Sequence, residues 1–98
     1  MFKIPEVIVK PTLIFEEKIG KNEVKIQGEK VGDILQKFVL MFKDSLEELK
    51  AVSTEDPLKL HPSILVLLNG RNIRFLQGEE TKVKDGDMLM IIPPIIGG

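Results

Sequence analysis

The sequence of 98 residues lacks cysteine, tryptophan and tyrosine, and it contains a single histidine. Without cysteine, the chain has no disulfide framework, no cysteine-bound metal and no thiol nucleophile. One histidine cannot form a histidine metal cluster, and it offers only one base for Ser-His-Asp catalysis. We therefore expect no metal site in this chain.

An excess of charge of one sign is also missing, since 14 Lys and Arg residues balance 15 Asp and Glu residues to give a net charge of −1. This balance argues against electrostatic capture of nucleic acid or of an anionic membrane. Long apolar runs are absent too, whereas a membrane-spanning helix needs about 20 apolar residues. The segment Met1–Glu6 has no basic region followed by a long apolar stretch, so we expect no signal peptide and a cytoplasmic location.

The apolar content is sufficient for one core, because 43% of the residues are hydrophobic. A chain of this length is expected to form one domain over residues 1–98, with a flexible C-terminal tail at 93–98. In the N-terminal third, Val7-Ile8-Val9 favours a strand that ends or bulges at Pro11. Gly20-Lys21-Asn22 predicts a turn, and residues 23–27 alternate polar and apolar as a half-buried strand does. Together these segments predict a β-hairpin.

One helix is clearly indicated by apolar residues that repeat with a period of 3.6. They are Val31, Ile34, Leu35, Phe38, Val39 and Phe42. Ser45–Glu48 matches a capping box and indicates a second short helix over Leu46–Ala51. The alternative is one helix from Val31 to Lys50, because Leu46 and Leu49 continue the apolar stripe.

The C-terminal half predicts three more strands after a polar loop over Val52–Pro62. The continuous apolar runs Ile64–Leu68 and Met88–Ile92 are typical of strands buried on both faces. Asn69-Gly70 is a strong hairpin turn signal, so Ile73–Leu76 is expected to be the returning strand. One main helix across one face of a mixed sheet of four to five strands is the economical packing, which is an α+β fold of the ubiquitin-like β-grasp type.

The last six residues carry the functional signal. Pro93 and Pro94 remove two backbone donors, so the sheet must stop before an extended tail that reaches roughly 20 Å. Gly97 and Gly98 have no Cβ atoms and can pass through a narrow channel. The only reactive group there is the α-carboxylate of Gly98, which is a poor acyl donor until it is activated. The plain alternative is a frayed terminus without function.

Three motifs together resemble the MoaD/ThiS family of ubiquitin-like sulfur carriers. They are Asn69-Gly70-Arg71 after a strand, Asp85-Gly86-Asp87 before the last strand, and the ending Pro93-Pro94-Ile95-Ile96-Gly97-Gly98. The helix opening Val31–Leu35 and the position of Gly20 also match the family. The double proline makes the sequence more similar to the branch of this family that contains the small subunit of molybdopterin synthase.

The resemblance implies that a ubiquitin-activating-type adenylyltransferase uses ATP to adenylate Gly98, and that sulfur then replaces AMP to give a thiocarboxylate. It further implies that this group donates sulfur in molybdenum or tungsten cofactor biosynthesis, inside the large subunit of molybdopterin synthase. The chain would bind no cofactor and would not be an enzyme alone. We expect Gly97 to permit passage of the tail. The expected partner-binding residues are Ile92, Pro93, Pro94, Ile95, Ile96 and Phe75.

Two other functions remain compatible with the sequence. A protein modifier would be joined through Gly98 to lysines of target proteins, and a structural binding module would carry its Gly-Gly end incidentally. His61 is expected to be a solvated loop histidine, and Asp85 and Asp87 to belong to an ordinary turn. Arg71 and Arg74 flank a strand and are read either as solvated edge charges or as contacts for an acidic partner.

Overall fold

Residues 3–94 are described by a computed structural model, in which five strands form one mixed sheet. The strands are β1 (Glu6–Pro11), β2 (Val24–Gln27), β3 (Leu65–Leu68), β4 (Arg71–Asn72) and β5 (Met88–Ile92). Their order across the sheet is β2-β1-β5-β3-β4. β1 and β5 are parallel neighbours, and the other three adjacent pairs are antiparallel. The α+β prediction is therefore confirmed.

The main helix packs its predicted stripe against one face of the sheet. The helices are α1 (Ile14–Ile19), α2 (Val31–Met41) and α3 (Lys43–Glu48). The fully buried members of the α2 stripe are Val31, Ile34, Phe38 and Val39. Leu35 and Phe42 are partly buried against the same cluster, which also holds Val7, Leu89 and Ile91 from the sheet. Apolar burial on this face supplies the main driving force for folding.

The predicted β-hairpin is wrong in its connection, although β1 and β2 do pair as antiparallel neighbours. A short helix, α1, lies between them and buries Phe15 in the core. Gly20 ends this helix in the left-handed conformation, with φ of 80°, and donates its N–H to the carbonyl of Glu16. The turn signal at Gly20 is thus a helix C-cap, and core burial of Phe15 outweighs the β propensity of the segment.

The second short helix exists, but the predicted bounds are shifted. α3 covers Lys43–Glu48 instead of Leu46–Ala51, and the helical path breaks at Phe42, where φ is −122° and ψ is 32°. A single helix over 31–50 is therefore also wrong. Ser45 lies inside α3 and makes no capping bond, whereas Leu46 is fully buried and continues the apolar stripe. Burial of Leu46, more than the capping motif, positions this turn of helix.

The predicted strand over Ile73–Leu76 is wrong as well. The Asn69-Gly70 turn is confirmed, since both residues have positive φ values of 50° and 85°. However, β4 contains only two residues and is followed by a 3₁₀ helix at Ile73–Phe75. The side chain of Asn72 accepts the N–H of Arg74 at 2.9 Å and caps this helix, which turns the backbone out of the sheet.

The polar segment 52–62 forms no helix or regular strand, as predicted, but its backbone is well held. Val52 and Leu60 form an isolated bridge, and the Ser53 hydroxyl accepts the N–H of Glu55 at 3.2 Å. His61 donates its N–H to the carbonyl of Ala51 at 2.7 Å. A second 3₁₀ helix, Gly78–Glu80, packs on α2 where Gly32 allows close approach to Glu79.

Candidate functional site

The side of the sheet opposite α2 carries a continuous set of apolar side chains, which we call the open face. It is formed by Ile8, Leu65, Leu67, Met88, Met90 and Ile92, all of them half-buried. Strand register brings them together, because Ile8 lies opposite Met88, and Met90 lies opposite Leu67. The prediction that β3 and β5 are buried on both faces is therefore wrong, since burial alternates along each strand.

Within residues 3–94, this face has no covering helix. The buried side chains of α1, α2 and α3 all belong to the core cluster on the other side of the sheet. Adjacent half-exposed apolar side chains on three strands form the kind of contiguous surface that marks a binding site for another protein.

Phe75 stands at the β4 edge of the open face and is 86% exposed, the highest value among the large hydrophobic residues described. The capped 3₁₀ helix fixes its backbone beside a shallow groove of about 540 Å³. Leu65, Leu67, Leu76 and Arg71 also line this groove. An exposed aromatic ring on a fixed backbone is a typical anchor residue of protein interfaces.

The base of the C-terminal tail, Pro93 and Pro94, directly follows Ile92, the last residue of β5. Ile92 pairs with Leu65, and both the N–H and the hydroxyl of Thr12 donate to the carbonyl of Ile91, at 3.1 Å and 3.0 Å. Pro93 and Pro94 then line a small cavity of about 170 Å³. This cavity is also lined by Ile14, Phe15, Leu49, Lys50, Ala51, His61, Ser63 and Ile64. The base of the tail is therefore held by α1, the end of α3 and the segment after the loop.

The structure brings some predicted site residues together and leaves others untested. Ile92 and Phe75 belong to one surface, because Leu65 pairs with Ile92 and lines the groove beside Phe75. Pro93 and Pro94 lie at the base of the tail. The remaining predicted site residues, Ile95, Ile96, Gly97 and Gly98, lie outside the described residues.

His61 matches the expectation of an exposed loop histidine. Its Nδ1 lies 2.7 Å from the Ser63 hydroxyl and accepts the N–H of Ser63 at 3.1 Å. Both contacts are local, and His61 lines the same small cavity as Pro93 and Pro94. In the part of the chain that the structure describes, no three His, Asp or Glu side chains are grouped to hold a metal ion.

The turn interpretation of Asp85-Gly86-Asp87 is confirmed. Asp85 Oδ1 accepts the N–H of Glu6 at 2.9 Å, and Lys3 Nζ lies 3.5 Å from Asp85 Oδ2. The hydrogen bond and the cation both hold the pKa of Asp85 below its usual value. Asp87 accepts the Lys84 N–H at 2.7 Å and the Asn69 amide at 3.0 Å. The two carboxylates thus tie this turn to β1 and to the Asn69-Gly70 turn.

The sequence interpretation missed most of the open face. The uninterrupted apolar runs predict an interior position for Leu65, Leu67, Met88 and Met90, which the structure does not bear out. The strand period of two would have assigned them to one face, but composition could not show that this face lacks a cover. Leu13, 65% exposed with a positive φ of 54°, was also missed; it lies next to Ile14 at the base of the tail.

Among the residues that the structure describes, no helix has the length and apolar content needed to cross a bilayer.

Comparison with solved structures defines the class of fold. The solution structure of small archaeal modifier protein 1 from Methanosarcina acetivorans matches with a TM-score of 0.83 and 36% identity, covering 99% of this chain and 100% of that one. A chain of the crystal structure of the Amycolatopsis orientalis BexX/CysO complex matches with a TM-score of 0.72 and 32% identity, over 94% of this chain and 99% of that one. The fold is therefore a ubiquitin-like β-grasp, as predicted.

Sequence comparison then identifies the family. The sulfur carrier protein CysO of Mycobacterium tuberculosis is 28% identical over 88 residues, which is 90% of this chain and 92% of that protein. The family model described as the ThiS family matches residues 14–98. The chain belongs to the ThiS family, and the family resemblance seen in its motifs is confirmed.

Proposed function

We propose that this chain is a sulfur carrier that works through the carboxylate of Gly98. The observation that carries the proposal is the extent of the family match, which runs over residues 14–98 and so includes the Gly97-Gly98 ending. The base of the tail supports it, because Pro93 and Pro94 follow directly on the last residue of β5. Prolines lack the backbone N–H that a strand ladder needs, which fits the end of β5 at Ile92.

The proposed chemistry requires two steps. A ubiquitin-activating-type adenylyltransferase first joins the Gly98 carboxylate to the α-phosphate of ATP and releases pyrophosphate. Sulfide-level sulfur from a donor then attacks the acyl carbon of Gly98, the bond to AMP breaks, and AMP leaves a thiocarboxylate behind. The partner enzyme supplies the ATP site and the acid–base groups, so this chain would act as the carried substrate and not as an enzyme alone. We expect the chemistry in the cytoplasm, where ATP is present.

The open face and Phe75 are proposed to bind the partner while the tail enters its active site. Ile92 connects the two regions, since it lies on the open face and immediately precedes Pro93. Ile95 and Ile96 are proposed to add apolar contacts along the channel, and Gly97 to let the tail pass. Docking on a surface away from the reacting group can position a tail end, because accurate placement lowers the barrier to reaction.

The acceptor of the sulfur is the finer part of the proposal. The double proline favours a molybdopterin precursor, bound by a large subunit of molybdopterin synthase, in a molybdenum or tungsten pathway. Conjugation of Gly98 to lysines of target proteins is a second candidate. It is supported by the 36% identity, over 99% of the chain, to a protein named as a small archaeal modifier. Because Lys84 is the last cleavage site for trypsin, branched peptides that carry residues 85–98 on a target lysine would favour this second role.

An ATP–pyrophosphate exchange assay with the cognate adenylyltransferase tests the first step. We expect exchange with the native chain and a loss of exchange when one alanine is added after Gly98. The addition moves the carboxylate by about 3.5 Å, and a shift of even 1 Å can cost on the order of a hundredfold in rate. Deletion of Gly98 should have the same effect. Equal exchange for the three proteins, all with unchanged thermal unfolding, would contradict the proposal.

A further inference from the structure

Two cations flank the open face. Lys10 lies on β1, half-buried, and is directly opposite Met90 on β5. Arg71 begins β4 at the edge of the sheet, where its register partner is buried Leu68, and it lines the groove beside Phe75. The same face carries Glu6 and Lys25 farther from the tail. Arg74 differs, because its guanidinium donates to the carbonyl of Pro62 and it lines the cleft on the α2 side of the sheet.

Within residues 3–94, Lys10 and Arg71 have no carboxylate at salt-bridge distance, whereas five of the other twelve Lys and Arg residues do. The ion pairs are Lys3–Asp85, Lys18–Glu48, Lys30–Glu80, Lys43–Glu47 and Lys59–Glu79. A partner that covers the open face also removes water from the Lys10 ammonium and the Arg71 guanidinium. Desolvation of an unpaired charge is unfavourable, so a fitting partner must offer acceptors at both positions.

The strand order sets the distance between the two positions. The path from β1 to β4 crosses β5 and β3, which is three strand spacings or about 14 Å. Between them lie the apolar side chains of Met90, Leu67 and Leu65. A complementary surface therefore has an apolar centre and one carboxylate on each side.

We propose that Lys10 and Arg71 determine which partner this carrier accepts, by pairing with carboxylates that border an apolar patch on the partner protein. The inference rests on the proposed function and specifies the chemistry of the partner's docking surface. Charge pairs at the border of an apolar contact select partners and speed association, because attraction acts before the surfaces meet. The reacting carboxylate of Gly98 is not involved, so the two cations act on docking and not on the chemical step.

The test uses ATP–pyrophosphate exchange, with the KM for the carrier and kcat measured separately. The double charge reversal Lys10→Glu with Arg71→Glu should raise the KM about tenfold and leave kcat unchanged, since it removes uniform binding. Lys82→Glu with Lys84→Glu is the matched control, because both side chains are exposed, flank buried Val83 and lie outside the open face. It makes the same change in net charge and should leave the KM within about twofold of native. Added salt should raise the native KM and reduce the difference.

Five results would overturn the inference. An unchanged KM for the open-face reversal, or an equal rise for the control pair, would remove the specific role of Lys10 and Arg71. Sedimentation of the native chain as a dimer that the reversal dissociates would assign the face to a second copy of this chain. The two double variants should unfold at similar temperatures. If the open-face variant is partly unfolded under the assay conditions and this explains its higher KM, the result would count against a role in docking. Absence of exchange with the native chain would instead refute the proposed function, and this inference with it.

Discussion

The two faces of the sheet are built from the same kinds of residue and have different surroundings. Along β3, Val66 and Leu68 are buried beneath the helices, whereas their neighbours Leu65 and Leu67 are half-exposed on the open face. β5 repeats the pattern, with Leu89 and Ile91 fully buried. An apolar strand can thus be buried in the core on one side and leave the other side half-exposed, as the docking surface proposed above.

The free energy of unfolding should depend mainly on the helix-covered face. Complete burial of a large aliphatic or aromatic side chain contributes roughly 1.5–3 kcal/mol, and a half-buried one contributes less. Replacing the same residue type on each face should therefore lower the free energy of unfolding on the covered face and partner affinity on the open face. Phe38 with Phe75, and Leu68 with Leu67, are two such pairs of the same residue type.

The largest expected difference is between the two phenylalanines Phe38 and Phe75. Phe38 in α2 is fully buried, and its ring centroid lies 5.2 Å from that of Phe42 in an edge-to-face arrangement. Phe38→Ala should therefore lower the free energy of unfolding by about 3–5 kcal/mol. Phe75 is 86% exposed, so Phe75→Ala should change it by less than about 0.5 kcal/mol. Chemical denaturation measures both values. Similar losses for the two variants would show that the faces are not energetically distinct.

A closer test compares the adjacent residues Leu67 and Leu68. Leu68→Ala removes a buried side chain and should cost about 2–5 kcal/mol of unfolding free energy. Leu67→Ala changes the half-buried side and should cost less, while it weakens binding to the adenylyltransferase through the lost apolar contact. Denaturation and a carrier titration should therefore rank the two variants in opposite orders. The same ranking in both measurements would contradict the separation.

The smallest expected effect concerns Asp85, which ties the start of β1 to the turn before β5. The Glu6 N–H and Lys3 lower the pKa of this carboxyl in the folded state. Its contribution to stability is therefore present above the unfolded pKa, about 3.9, and is lost as pH falls through the folded value. Asp85→Asn should unfold at a lower temperature than native near neutral pH, and the difference should shrink below about pH 4. A difference that is constant with pH would exclude this role of the charge.

Much of the fold was predictable because local patterns and tertiary packing agree. The stripe of α2, the Asn69-Gly70 turn and the end of β1 at Pro11 follow from periodicity and turn chemistry. The errors occur where a distant contact decides. Burial of Phe15 makes a helix from a segment with strand-forming residues, and the Asn72 cap turns the chain out of the sheet after two residues of β4.

The candidate site was predictable only in part. Ile92 and Phe75 were predicted and lie on one surface, whereas the Gly98 end, which the prolines and glycines indicate, lies outside the described residues and stays a prediction. The open face could not be predicted, because a strand covered on both faces and a strand covered on one face can have the same apolar composition. Arg71 and Arg74 illustrate the same limit: they are three positions apart, yet one lines the groove of the open face and the other bonds to Pro62 on the opposite side.

The most direct test of the central claim is intact mass spectrometry of this protein purified from its own host. We predict a fraction whose mass exceeds that of the unmodified chain by the difference between a sulfur and an oxygen atom, with fragmentation placing the change at Gly98. Alkylation of the thiocarboxylate should shift only that fraction. A protein that shows only the unmodified mass, from cells in which its adenylyltransferase is active, would contradict the account.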